Sequence, residues 1–449
     1  MKMRRKEKII LITALAGTVG LGVWLLYLWL YLWPEKAIER ELAKIRARGE
    51  PVTLEELAPP EIPDAENAAL IYEQAFGVYY EAPRKEGLHL SEILGKDLTQ
   101  WTEEDIEVIR EDLEKNEDCL HLLHQAANYD KCRFSLDYSP GYRILLGHLR
   151  KMRAQARLLA RDALYKAKEG KIDEALESSR ASLCLGRGLV DEPILISQLV
   201  RSALDEITLY RLQKILNEND ASPEILRLLL KKLDVQESRA AFARSLQGER
   251  CCQIDIYEQV IKDPALIPQI VTNMGGRGPH SFVSMKGYKI MGPFARPIFR
   301  RDEIFSLNIM QKMIDLAKLP YHQAKADLDK LEQDVRKARF YCILTKELLP
   351  VLTHMHLQNA RHEAKIGLAQ LALALKIFKA EKGKYPDSLS ELVPDILPEL
   401  PKDPFTGKDF VYKKEGEGFL VYSLNENARD DGGIGGRPSE YDIPWRCKK

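Results

Sequence analysis

Leu149-Arg150-Lys151-Met152-Arg153-Ala154-Gln155-Ala156-Arg157-Leu158-Leu159-Ala160-Arg161-Asp162-Ala163-Leu164-Tyr165-Lys166-Ala167, then Gly170, then Lys171-Ile172-Asp173-Glu174-Ala175-Leu176, is the stretch that decides the fold. Leu149, Met152, Ala156, Leu159, Ala163 and Ala167 recur at three- and four-residue steps, which places them on one apolar helix face. Gly170 is a stop signal, and the next helix starts directly after it. The same helical patterning extends over residues 105–250, so the chain reads as mostly α.

A small-residue helix, a glycine turn and a second alanine-bearing helix resemble one tetratricopeptide-type hairpin. Three in-register copies are not present, so the likeness is to a single hairpin. A second pair follows: Ile194 to Leu216, a turn at Asn217 to Ala221, then Ser222 capping a helix with Pro223 in its first turn. Stacked hairpins of this kind bury a continuous core and leave a concave face that usually binds other proteins. Upstream, Thr53-Leu54-Glu55-Glu56 and Thr102-Glu103-Glu104-Asp105 are capping-box patterns, and Asp64 is placed to cap a helix through Ala75. Downstream, residues 263–300 are rich in glycine and proline, and Arg277, Lys286, Lys289, Arg296, Arg300 and Arg301 have no acid among them. Such a stretch is either a mobile surface loop or a docking segment for anionic lipid or an acidic partner. Helices are expected again at Asp302 to Leu319, Tyr321 to Phe340, Cys342 to Leu349 and Leu357 to Lys382.

The chain has 449 residues, with Lys+Arg and Asp+Glu equal at 67 each. Zero net charge excludes a strong global field for nucleic acid. Ile9 to Trp33 carries no charge and spans about 37 Å as a helix, enough to cross a bilayer. Lys2, Arg4, Arg5, Lys6 and Lys8 precede it, which places residues 1–8 in the cytoplasm and the body outside. Trp24, Tyr27, Trp29, Tyr31 and Trp33 crowd its outer half as an aromatic belt. The run is long for a cleaved signal and lacks a small-x-small site, so an uncleaved anchor is expected. A charged helical stalk, Glu35 to Arg48, follows. The seven cysteines are odd in number and irregularly spaced, and no disulfide framework follows from them.

No phosphate-cradling Gly-x4-Gly-Lys-Ser/Thr, no Gly-x-Ser-x-Gly and no His-Glu-x-x-His occurs in the sequence. Cys119, His121, His124 and Cys132 have zinc-ligand chemistry, but Cys119 and His121 point apart on a helix. His354, Gln358 and His362 share a helix face with His356 off it, and metal ligation there needs further ligands that the sequence does not nominate. Both clusters read more simply as solvated or semi-buried side chains.

The last part of the chain runs from the long helix into Gly383-Lys384-Tyr385-Pro386, then Leu400-Pro401-Lys402-Asp403-Pro404-Phe405-Thr406-Gly407. Gly383 ends the helix, and Asp387 is placed to cap a short helix from Ser388 to Val393. Phe410-Val411-Tyr412 and Phe419-Leu420-Val421-Tyr422 form a hairpin signal. Two strands alone are marginal, so they must pack on the long helix through Leu371, Leu375 and Phe378. With Tyr422-Ser423-Leu424, an acidic glycine-rich loop and Asp442-Ile443, this series resembles the major pseudopilin of type II secretion. The resemblance implies a calcium-binding terminal loop, with oxygens from Asn427, Asp430, Asp431 and Asp442, where neutral Asn427 replaces an aspartate. Two departures count against pilus-like polymerisation. The apolar run lacks the family's glutamate, and the tail lies far down the chain from the anchor. The whole architecture is also similar to a group of bacterial single-span membrane proteins with this helical body and tail, from which no activity carries over.

The expected architecture is therefore a cytoplasmic tail (1–8), a transmembrane helix (9–33), a body of helical hairpins (34–262), a basic insert (263–300), a helical region (301–382) and a small α+β pseudopilin-like unit (383–449). The first functional reading is a scaffold or interaction protein of the bacterial inner membrane, single-pass, with protein partners and no nucleic acid, and the pseudopilin resemblance implies an association with secretion machinery. The rival readings are a metal-dependent hydrolase or other envelope enzyme, and a peptide or glycan binding module.

Overall fold

Helix α1 (Arg5–Ala47) runs without interruption from the apolar stretch into the body, through Pro34. The structure is a computed structural model that describes residues 5–267, 269–270, 292–339, 341–436 and 441–448. Among the described residues, α1 is the one helix long and apolar enough to cross a membrane. Leu15, Val19, Leu25, Trp29 and Trp33 lie bare along it, because an all-round apolar helix offers no polar face to water.

The body begins after Gly49, whose left-handed backbone (φ 72°) turns the chain. The pattern at Thr53 gives only a single 3-10 turn, Glu55–Leu57. Helix α2 (Ala68–Val78) is capped by Asn67, whose Oδ1 accepts from Ala69 N, and not by Asp64, which opens a separate 3-10 turn. Asn67 also bonds Arg133 at both backbone groups, so the cap doubles as a clasp on a distant loop. Helices α3 (Arg84–Gly95), α4 (Glu103–Glu114) and α5 (Glu117–Ala126) follow, and the reciprocal box at Thr102 and Asp105 opens α4 as its sequence predicts.

The deciding stretch forms α6 (Gly147–Lys168) and α7 (Ile172–Arg187), turned by Gly170 at φ 76°. Met152, Ala156, Leu159 and Ala163 are buried between them and α8 (Leu195–Glu218). Fully burying each large apolar side chain here contributes about 1.5–3 kcal/mol. Helix α9 (Pro223–Leu230) starts at the predicted Ser222-Pro223 signal, and α10 (Val235–Lys262) is capped by Asp234, whose carboxylate accepts from the Gln236 and Glu237 amides.

The middle of the basic insert, with Arg277, Lys286 and Lys289, lies outside the described residues. Helix α11 begins earlier than expected (Gly292–Ala317), because prolines near a helix start break few helical bonds. The stalk is not free. Ile38 and Ile45, at helix spacing, bury with Val52 against Leu307 of α11. Glu35 takes Arg296 at 2.7 Å and Arg300 at 3.2 Å, and Arg300 also reaches Glu258 and Glu303 at 2.7 Å each. Two of the insert's cations are therefore matched by acids far away in sequence.

After α12 (Tyr321–Arg336), the two helices expected on either side of Pro350 are one, α13 (Ile343–Lys382), ended by Gly383 at φ 77°. Ser388, boxed with Glu391, caps the short turn Leu389–Leu392, in place of Asp387. Strands β1 (Val411–Glu415), β2 (Gly418–Ser423) and β3 (Ile443–Cys447) form an antiparallel sheet in that order, with Val421 facing Tyr412 and Trp445. The third strand was not apparent as a strand in the sequence, because Pro444 interrupts a short run. It lies against α8, where Lys448 N bonds Asn217 Oδ1 at 2.8 Å. Phe419, Val421, Trp445 and the buried face of α13 share one core with α6 to α9. The side of α8 and α9 expected to be open is thus covered by the chain's own C-terminal unit.

Candidate functional site

The covering is incomplete. Between α8, α10, α13 and the loop before β3 lies a cavity of about 720 Å³. That is within the range of small-ligand sites, roughly 300–1,000 Å³. Helix α8 brings Gln198, Arg201 and Glu206, α13 brings Gln358, Arg361 and His362, and the loop brings Asp442.

A buried polar chain forms its floor. Arg201 Nη2 donates to Ser238 Oγ at 2.9 Å, Ser238 lies 3.1 Å from His362 Nδ1, and His362 Nε2 lies 2.9 Å from Asp205 Oδ2. Because Arg201 can only donate, the serine hydroxyl hydrogen is left for His362 Nδ1. The imidazole is then neutral, with Nε2–H donating to Asp205. Burial pulls the His362 pKa down, against the opposing pull of Asp205, which agrees with a neutral ring. Gly186 on α7 makes room for Asp205, since a Cβ there would lie 2.9 Å from Asp205 Oδ1.

Ser, His and Asp in contact invite comparison with a hydrolytic triad, and a histidine converging with a carboxylate is what the enzyme reading requires. Here the serine is 0% exposed and its oxygen is bonded on both sides, so it presents no nucleophile to a substrate. The chain ties three helices together instead.

Several buried side-chain atoms of the cavity wall have no hydrogen-bond partner among the described residues. They include the donors Arg201 Nε and Arg361 Nε and the acceptors Gln198 Oε1 and Asp442 Oδ1. The carboxylates nearest to Arg201 in charge, Asp205 and Glu237, bond His362 and Arg187. Asp442 Oδ2 accepts from Asp431 N at 3.1 Å and Gly433 N at 2.8 Å, which leaves Oδ1 over. Burial raises the Asp442 pKa, against the lowering by these two amides. Arg361 bonds Glu426 through Nη2 at 3.2 Å, and Lys365 pairs with Glu206.

The four residues with calcium-type oxygens are only partly brought together. Asn427 Nδ2 donates to Asp431 Oδ2 at 3.1 Å, and Asp431 N reaches Asp442. Asp430 turns away, accepting from Tyr422 OH at 2.7 Å and Gly432 N at 2.9 Å. Gly433, at φ 74°, lets this loop lie against Leu420 and Tyr422 on the outer face of β2. The oxygens present fit calcium chemically, but in this arrangement they accept the loop's own N–H groups. Among the described residues, no group of three His, Cys, Asp or Glu is placed to hold a metal.

The two sequence clusters disperse. Cys119 is buried and donates to Ala75 O, while His124 faces Asp162 at 3.6 Å. His121 is exposed, and Cys132 lies beside Gly188. His354 meets Gln358 at the surface, at 3.0 Å. His356 is buried edge-on against Phe242, where desolvation pushes its pKa down to about 4. His362 reached the site, but Arg201, Asp205, Ser238 and Arg361 carried no sequence signal beyond being polar residues in apolar helices. No protein-family model, curated protein or solved structure matches the chain.

Proposed function

We propose that this is a membrane-anchored binding protein that receives a small polar ligand in the cavity between α8, α10 and α13. Residues 9–33 cross the bacterial inner membrane, residues 1–8 are cytoplasmic, and the body stands outside. The basic flank before the apolar run and the pseudopilin-like tail support that orientation. The observation that carries the binding function is the pair of buried charged groups, Arg201 and Asp442, each with an unmatched atom at the wall of one cavity. Buried polar atoms in native proteins nearly always have partners, and those that lack one call for a specific cause. A site that completes its hydrogen bonds on loading is such a cause.

The scaffold reading needs an open helical face, and the face offered by α8 and α9 is filled by the chain's own helix and sheet. A secretion partner would engage the outer surface of the tail, where the pseudopilin likeness resides.

Thermal unfolding of the detergent-extracted full chain, across amino acids, peptides, sugars, sugar acids and nucleotides, tests the binding function. At least one class raises the midpoint with saturation, and Ser202→Trp, which fills the cavity, removes the effect. If no class does so, the reading falls. Protease added outside the inner membrane should degrade the body, and protection in spheroplasts would overturn the orientation.

A further inference from the structure

The cavity presents unmet demands of both signs, and its two most buried charged groups carry one of each. Arg201 Nε is an N–H donor on a guanidinium that is 4% exposed, and Asp442 Oδ1 is an acceptor on a carboxylate that is 3% exposed. A guanidinium N–H is best matched by a carboxylate, and a carboxylate oxygen by an ammonium, since charge-assisted bonds are about twice as strong as neutral ones. A ligand that meets both must carry a carboxylate and an ammonium. The lining also carries Gln358 and Asn359, whose amides each keep an N–H and a carbonyl oxygen beyond their bonds to His354 and Glu363, as the C=O and N–H of a peptide unit require. Gln198, both of whose N–H groups bond Leu189 O and Glu192 O, offers an acceptor only. Phe242 and Met355 supply apolar wall, and the flexible thioether adapts to different side-chain shapes. Lys365 is paired with Glu206, and Arg361, whose Nη2 bonds Glu426, keeps its Nε as a second donor that the other oxygen of a carboxylate can meet.

We infer that the cavity binds a short peptide with free ends, its C-terminal carboxylate on Arg201 and its N-terminal ammonium on Asp442. This rests on the binding function proposed above and names the ligand class for the same site. Glycans lack the cation. Sugar acids satisfy Arg201 but leave Asp442 unmatched, and nucleotides likewise bring no ammonium for Asp442.

The test uses the full chain in detergent near neutral pH and a tripeptide library with free ends, set beside the same library N-acetylated or C-amidated. Stabilisation follows RT ln(1 + [L]/Kd), so midpoint shifts against concentration report affinity. Free-ended peptides bind, and blocking either end weakens binding at least tenfold. Asp442→Asn keeps one oxygen for the Asp431 and Gly433 amides and turns a donor toward the cavity. It weakens free peptides at least tenfold and leaves N-acetylated peptides unchanged. Equal binding of free and blocked libraries overturns the inference, and that comparison needs no variant. Binding of sugars or sugar acids without peptides overturns the ligand class while the binding function stands. Binding of nothing overturns both.

Discussion

Ser238→Ala and Ser197→Ala remove the same atom from two sites that are both 0% exposed, yet their consequences differ in sign. Ser238 Oγ accepts from Arg201 at 2.9 Å and donates to His362 at 3.1 Å. Its loss leaves a guanidinium N–H and an imidazole nitrogen buried without partners. A hydrogen bond to a charged group contributes about 1.5–3 kcal/mol and a neutral one about 1 kcal/mol, so the expected loss is about 2–4 kcal/mol. Against a typical stability of about 5–15 kcal/mol, that is a large share. Ser197 Oγ has no partner among the described residues. Replacing it with a methyl removes a desolvated hydroxyl without orphaning another group, so Ser197→Ala is neutral or stabilising by up to about 1 kcal/mol. Urea unfolding of each full-length protein in detergent, followed by far-UV circular dichroism, gives both values. A Ser238→Ala protein as stable as Ser197→Ala would refute the polar chain as a clasp between α8, α10 and α13.

Three further outcomes follow from other sites. Burial pushes Asp302 up to about 6 and Glu303 up to about 7, so both favour the protonated form in the fold, and their contribution is full below about pH 4 and lost as the pH rises through 6 to 7. Glu303→Gln removes one of these losses, so its stability relative to wild type rises by about 3 kcal/mol between pH 4 and pH 8, measured by urea midpoints. Parallel pH profiles would contradict this, and His356, which titrates in the opposite sense, is common to both proteins. A Cβ at Gly248 would lie 1.7 Å from Pro193 O, a backbone atom, so Gly248→Ala costs about 3 kcal/mol or more, whereas Gly77→Ala, with open space, gains up to about 1 kcal/mol; a differential melting scan separates them. Millimolar calcium leaves the melting temperature unchanged, since Asp430 is turned to Tyr422 and Asp442 to backbone amides; a saturable rise would show that the loop rearranges to bind it.

Local signals carried much of the fold. The period of Leu149 to Ala167, the Gly170 turn, the Thr102 box and the Gly383 stop are all contained within a few residues, and each is found where the pattern placed it. Asn67 displaced Asp64 as a cap because its two-sided clasp on Arg133 is a tertiary contact that is silent in sequence. Two helices are expected over Cys342 to Leu349 and Leu357 to Lys382, yet α13 runs through both and through Pro350, since long tertiary packing outweighs a local cost of about 3 kcal/mol. The site was least legible. His362 on α13 meets Ser238 on α10 and Asp205 on α8 across more than a hundred residues, and the shorter-range contacts of Arg201 and Arg361 also follow no spacing rule. The C-terminal unit packs on the long helix at Leu371, Leu375 and Phe378, as its sequence requires, but its reach into the α6 to α9 core was not legible. It is part of the main core because Trp445, Val421 and Phe419 find their apolar partners there.

Arg300, held among Glu35, Glu258 and Glu303, fixes α1 to the body within one turn of the apolar run. A linker there would uncouple the two. A continuous helix does the opposite, so in the proposed topology any tilt taken by residues 9–33 becomes a tilt of the entire body. Helices longer than the local hydrocarbon thickness adapt by tilting. Bilayer thickness would then set the angle at which the cavity mouth faces the surrounding space, making lipid composition an input to what the protein can reach.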